Sequence, residues 1–309
     1  MGLAAAAGTA LAAQVLPLRA ARWLAPSADK VRALSERPPE CLAPPADPAR
    51  ALSVEVGRAA FRDPLVLGGQ AARAGVACDT CHANGRRNAD FHFPGVSGAP
   101  GTADVTSFVF SSHRGDWTFD PRPIPDLGGP KSALKVDQSR SGAALEHFIR
   151  GLITEEFDGP QPAPAILAGL ADYVRAMDPA VCAGKPPERI TVADDLADAA
   201  RAARAARALL ARSDAPAAAV LLEAARAQLG RVDERYAVPG LEPDRGALAA
   251  SALTLSAAVE AARAGRRGDA ARALTDWLAD LPALAHRLAR DEPRSFYSRA
   301  RLAAALGRS

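Results

Sequence analysis

The sequence predicts a mainly α-helical protein in two parts: a loop-rich N-terminal part with short helices, then an all-α antiparallel helix bundle. Three observations predict this. Apolar residues recur at helical spacing in several stretches. The composition changes abruptly near residues 182–190, from Gly- and Pro-rich text to Ala-, Arg- and Leu-rich text. A length of 309 residues is long for one core and suits two. The boundaries read as 1–26 for a signal or export segment, 27–182 for the first domain and 190–309 for the bundle.

The elements follow in order. Met1 to Ala13 is small and apolar, and Ala10-Leu11-Ala12-Ala13 resembles a signal-peptidase site, although no Lys or Arg precedes it. Either the true start lies upstream or the segment is an uncleaved anchor. It is too short to span a bilayer, which takes about 20 apolar residues. The expected protein is water-soluble or peripherally membrane-anchored. Residues 27–49, with Pro38-Pro39 and Pro44-Pro45, read as an irregular lead-in. Val54 to Arg62 is a short helix stopped by Asp63-Pro64. Gly68 to Gly75 reads as loop or a weak helical turn. Residues 83–142 hold many Gly and Pro, and so long a loop in a compact domain usually carries function. Leu145 to Leu152 is a short helix. Pro164 to Met177 is another, with Ile166, Leu167, Leu170, Tyr173, Val174 and Met177 on one face.

Cys182 to Pro187 reads as a linker. Thr191-Val192-Ala193-Asp194 is a capping-box start. Helices are expected over about 192–212, 215–236, 244–264, 269–290 and 294–306, with Asp214 and Asp269 each beginning one. Two of these segments share a helical-hairpin plan, but their spacing misses the tetratricopeptide period of about 34 residues, so a bundle is the better reading. Asp194, Asp195, Glu223 and Asp276 read as exposed helix faces, and Trp277 as core.

The chemistry lies in Cys78-Asp79-Thr80-Cys81-His82, an uninterrupted Cys-x-x-Cys-His. Two thiols at this spacing add across the two vinyl groups at one porphyrin edge and form thioethers. The adjacent imidazole then lies under the iron as its proximal ligand. This implies one covalent haem c on Cys78, Cys81 and His82. A thioredoxin-like pair would need a βαβ context, and a structural zinc site a second ligand pair; neither is visible. In most bacteria such thioethers form outside the cytoplasmic membrane, so a periplasmic location is expected. The other two of the four cysteines, Cys41 and Cys182, flank the first domain. In an oxidising compartment they could be joined, or they are two separate thiols. The net charge of +3 is too small to argue for nucleic-acid binding.

From about Ala51 to Met177 the order of phrases resembles a cytochrome c-like haem domain, specifically that of bacterial di-haem cytochrome c peroxidases and their relatives. The resemblance is carried by Gly57 to Pro64, by Gly75 to His82 with Gly85-Arg86, by Thr102 to Thr106 with Ser112 to Gly115, by Leu145 to Leu152 and by Leu170 to Met177. Two departures matter. No second attachment motif exists, so the inter-haem electron transfer of those peroxidases has no counterpart. Leu152 stands where the family's second haem has its Met ligand, and leucine cannot bind iron.

The resemblance puts a haem-proximal histidine near His113, which is the first choice for the second axial ligand. His147 is the alternative, and His92 comes third; a water-occupied site stays open. Met177 belongs to a core face, and His286 reads as a surface helix residue. Arg86 and Arg114, with Arg87 and Arg122, could pair with the haem propionates or be plain surface charge. Trp117 and Phe119 are expected to wall the haem. No catalytic acid–base group is placed. The leading functional expectation is an exported mono-haem c-type cytochrome that transfers electrons, with the bundle contacting a redox partner protein. The alternatives are a peroxidase-like haem enzyme and a haem-based ligand sensor. Sequence leaves the oligomeric state open.

Overall fold

The computed structural model describes residues 16–307. It is mainly helical, with 59% helix and 5% strand. A 3₁₀ turn, Arg19–Trp23, leads into α1 (Lys30–Ser35), capped by Asp29, and then β1 (Glu36–Arg37). Helix α2 (Pro48–Ala60) begins six residues before the expected Val54. Asp47 caps it by accepting from the Arg50 N–H, and Pro48 supplies a pre-set φ in the first turn. Short helices α3 (Pro64–Leu67), α4 (Gly69–Ala74) and α5 (Cys78–Cys81) follow. The stretch read as loop or weak turn is thus helical over α4.

The long loop carries two short paired strands, β2 (Thr102–Ala103) and β3 (Arg122–Pro123), and a 3₁₀ turn, Lys131–Ala133. Helix α6 (Ala144–Gly151) runs into a π-turn, Leu152–Glu156. Helices α7 (Pro164–Arg175) and α8 (Pro179–Cys182) close the first part. Helices α2 and α7 cross at Gly57 and Gly169, where a Cβ on either glycine would overlap the other helix's backbone. Phe61 packs on Tyr173 with ring centroids 5.1 Å apart.

The expected linker is not free. After α8 the chain forms β4 (Glu188–Arg189), which pairs antiparallel with β1, setting Glu36 opposite Arg189 and Arg37 opposite Glu188. The bundle consists of α9 (Val192–Ala211), α10 (Ala215–Arg235), α11 (Glu242–Arg263) and α12 (Arg267–Asp291), with a final α13 (Arg299–Leu306). Each helix packs on the next and α12 returns to α9, closing a four-helix ring. Its buried faces are largely alanine, including Ala199, Ala203 and Ala206 on α9 and Ala217, Ala218 and Ala225 on α10. Thr191 and Asp194 form the expected capping box, and Asp214 caps α10.

Three expectations are corrected here. Asp269 does not begin α12, which starts at Arg267 after Arg266. The stretch 294–306 is not one helix: a 3₁₀ turn, Glu292–Arg294, precedes α13. Asp195 is buried, not on an exposed face, because the Tyr297 hydroxyl donates to it at 2.6 Å.

One apolar core runs from Val54 and Phe61 through Tyr173 to Trp277 and Tyr297, so the two parts share their interior. Of the segment 1–26, residues 1–15 lie outside the described residues. Leu18 and Ala21 pack on Leu34 and Leu302, and Trp23 stacks on Phe93 at 4.4 Å. No helix among the described residues is long and apolar enough to cross a membrane.

Candidate haem-attachment site

The motif occupies the single turn of α5, and its backbone is tied down on all sides. The Thr80 hydroxyl accepts from the Ala77 N–H at 3.0 Å at the start of the turn. The Cys78 carbonyl accepts from His82, the Cys81 carbonyl from Asn88, and the His82 carbonyl from Gly85, at 2.8–2.9 Å. The Asn88 side chain donates to the Thr80 carbonyl at 2.9 Å. Asn84 then reverses the chain with a left-handed φ of 51°, a conformation that asparagine tolerates better than most residues. Its N–H donates to Asp79 Oδ1 at 2.9 Å, its Nδ2 to the Pro38 carbonyl at 2.8 Å, and its Oδ1 accepts from buried Arg62 at 2.7 Å. Arg62 in turn meets Glu40, which also accepts from Arg58 and the Tyr173 hydroxyl.

Cys78 and Cys81 are half-buried free thiols. Burial pushes both up to about 12. They are therefore thiols at neutral pH, whereas a redox-active pair or a thiolate nucleophile is activated by a lowered pKa. Among the described residues no cluster of three or more His, Cys, Asp or Glu side chains is spaced for a metal ion.

His82 is half-buried beside Phe61, with ring centroids 6.3 Å apart. Burial pushes its imidazole down to about 4, against the opposing pull of the Pro125 carbonyl and of Asp79 and Asp126. It is neutral at physiological pH. Its Nδ1 lies 3.0 Å from the Pro125 carbonyl oxygen. A carbonyl only accepts, so Nδ1 carries the proton and Nε2 keeps a free lone pair. That is the tautomer a metal-ligating histidine needs, held by the kind of outer hydrogen bond that orients such ligands. The donor set of two thiols and one oriented imidazole fits haem c.

The loop that carries Pro125 is knitted to the residues just past the motif. Arg86 Nε donates to both carboxylate oxygens of Asp126, at 2.8 and 2.9 Å. Gly128 donates to the Gly85 carbonyl at 3.1 Å. A Cβ on Gly128 would meet Cys41 Sγ at 3.0 Å and Arg86 Cδ at 2.7 Å, so a side chain there would have to displace Arg86 or crowd the disulfide. Cys41 and Cys182 are joined in a disulfide, with Cα atoms 4.9 Å apart and a sequence separation of 141. Arg86 Nη1 lies 3.2 Å from each sulfur.

The other residues singled out in the sequence fall as follows. His113 is exposed, and its Nδ1 lies 2.9 Å from Asp158 Oδ1. Although burial raises the Asp158 carboxyl, hydrogen bonds from His113 and Ser112 bring it below its ordinary value. His147 is exposed on α6, His92 is half-buried, and His286 is exposed on α12. Leu152 opens the π-turn. Met177 is buried against Gly85, as its core reading expects. The Arg86 guanidinium is engaged by Asp126 through Nε and by the disulfide sulfurs through Nη1. Arg114 is exposed and pairs with Glu155 at 3.0 Å. Trp117 and Phe119 stand at the surface, 94% and 61% exposed.

Pro125, Asp126 and Asp158 escaped sequence reasoning. Each lies some 40 residues from its partner, and only the place of Pro125 and Asp126 in the Gly/Pro-rich stretch hinted at a role. A cleft of about 510 Å³ opens on the opposite side of α5, lined by Asp79, Thr80 and Asn84 together with Asp198 and Arg231 of the bundle; neither thiol nor His82 lines it. Comparison with known protein families, curated proteins and solved structures finds no match to this chain.

Proposed function

We propose that this chain is an exported mono-haem c-type cytochrome that transfers electrons. Cys78 and Cys81 would hold the haem through thioethers and His82 Nε2 would ligate its iron. The observation that carries the reading is the His82–Pro125 hydrogen bond, which leaves Nε2 as an unprotonated donor one residue beyond two neutral thiols. When bound, such a group supplies a one-electron iron couple. The chain's own residues supply the rest: Pro125 fixes the imidazole tautomer, Phe61 packs beside the ring, and the Asn84 turn keeps the motif in register.

His113 is the first choice for the second axial position, with His147 the alternative. The same tautomer argument supports it, since Asp158 engages Nδ1 and leaves Nε2 available. The Cys41–Cys182 bridge supports maturation in an oxidising compartment, in keeping with a periplasmic location. The bundle would place the haem domain or contact a redox partner. Optical spectra of the ferric and ferrous protein, with and without carbon monoxide, test the carrier reading. A low-spin spectrum barely altered by carbon monoxide is expected. A high-spin spectrum with rapid carbon monoxide binding and fast peroxide turnover would replace the carrier with an enzyme.

A further inference from the structure

The structure assigns Arg86 and the Cys41–Cys182 disulfide a joint role: together they buttress the Pro125 carbonyl and so set the orientation of His82. The chain of contacts is continuous. The disulfide is anchored in the body of the fold, because the Cys41 carbonyl accepts from Asp178 at 2.7 Å and the Ala43 N–H donates to the Ala176 carbonyl at 2.9 Å. Arg86 Nη1 touches both sulfurs at 3.2 Å, while its Nε grips Asp126. Asp126 Oδ1 also accepts from the Gly128 N–H at 3.0 Å, and so tightens its own turn. The preceding residue is Pro125, whose carbonyl accepts from His82. Gly128, pressed against Cys41 Sγ and Arg86, lets the loop approach this closely.

The guanidinium thus bridges the covalent cross-link and the histidine loop, and its planar fork serves both sides at once. Reducing the disulfide removes the wall behind Arg86, frees the carbonyl of Pro125 to shift and releases the imidazole to rotate. Arg86 is a positioning residue here, acting on His82 only through Asp126 and Pro125. The consequence for an iron ligand rests on the haem reading above; the positioning itself is a property of the chain's own atoms.

The test uses the full chain purified under oxidising conditions and labelled with ¹⁵N at histidine. It is observed in a diamagnetic state: ferrous low-spin if haem is attached, the thiol form if not. The His82 Nδ1 proton should be visible and protected in the wild type. Its exchange should speed up about tenfold in Arg86→Gln, and by a similar factor in wild type after mild reduction, as expected for loss of one hydrogen bond. Leu274→Ala, a core change in the bundle, should lower stability without moving this signal. Arg86→Lys keeps a charge near Asp126 but withdraws the donor from the sulfurs; it decides by the same readout if Arg86→Gln does not fold. An unchanged His82 proton in the folded Arg86 variant, or an Nε2–H tautomer in the wild type, overturns the assignment. Haem content is read by absorbance on the same samples. A protected His82 proton without haem would sink the haem reading and leave the positioning role standing.

Discussion

Arg62 donates to Asn84 Oδ1 at 2.7 Å, and both residues are buried. This bond ties the end of helix α2 to the left-handed turn that follows the Cys-x-x-Cys-His motif. The same guanidinium meets Glu40 at 3.1 Å and lies 3.9 Å from Asp198 on the bundle. The motif, the lead-in and the bundle therefore meet at one cation. Removing one partner of a buried ion pair leaves the others uncompensated, at a cost of about 3–5 kcal/mol.

Arg62→Met should lose stability of that order in urea denaturation at neutral pH. The effect should shrink in acid. Burial alone would raise the Glu40 carboxyl, but Arg62 and Arg58 hold it below its ordinary value of 4.5. A carboxyl lowered in the folded state contributes stability that is full above 4.5 and lost as pH falls through the folded value. The wild type should lose this advantage there, and the two denaturation curves should converge. A mutant penalty that stays constant across that window would contradict the role given to Glu40.

Asp63 should behave in the opposite sense. It caps α3 by accepting from the Leu65 N–H, while its other oxygen is buried without a hydrogen-bond partner among the described residues. Burial, with Glu223 adding to it, raises this carboxyl to about 7 despite the Leu65 hydrogen bond. A group raised in the folded state favours folding while protonated, so its stabilisation fades as pH climbs from about 4 to about 7. Asn is an equally good cap without the charge. Asp63→Asn should therefore raise stability at pH 8 by roughly 1–3 kcal/mol and change little at pH 4. Thermal melts at the two pH values decide this; an equal shift at both would point to packing instead.

The Cys41–Cys182 bridge spans 141 residues of chain. The loop-entropy argument gives about 5 kcal/mol for a closure of that length, an upper figure. Cys41→Ser with Cys182→Ser should lower the denaturation midpoint substantially, and peptide mapping of the wild type should recover the two cysteines in one linked fragment. Two alkylatable thiols in periplasmic material would contradict the bridge.

His113→Ala should open the second axial position, giving a high-spin ferric spectrum and rapid carbon monoxide binding. His147→Ala should leave the spectrum low-spin. The reverse pattern would move the ligand to His147 and keep the carrier reading.

What the sequence made legible follows from how local each signal is. The bundle helices α9, α10 and α11 were readable because apolar periodicity and the caps at Thr191 and Asp214 act within one or two turns. Helix α12 was placed two residues late because Gly268 and the arginines before it look like loop text. Helix α4 reads from sequence as loop or a weak helical turn because of its flanking glycines, Gly68 and Gly75, which serve as its caps. Cysteine parity pointed to the disulfide. Nothing local could join His82 to Pro125 or Arg86 to Asp126, since those bonds span about forty residues of irregular chain. The exposure of Trp117 and Phe119 runs against their hydrophobicity, and composition gave no warning of it.

The central claim is that Cys78 and Cys81 carry one haem. The pyridine haemochrome of the denatured, solvent-extracted chain measures it directly. One haem per chain should survive extraction, and Cys78→Ala with Cys81→Ala should abolish it. A wild-type chain that matures in the periplasm and yields no haem, or releases it into acidified organic solvent, would contradict the account.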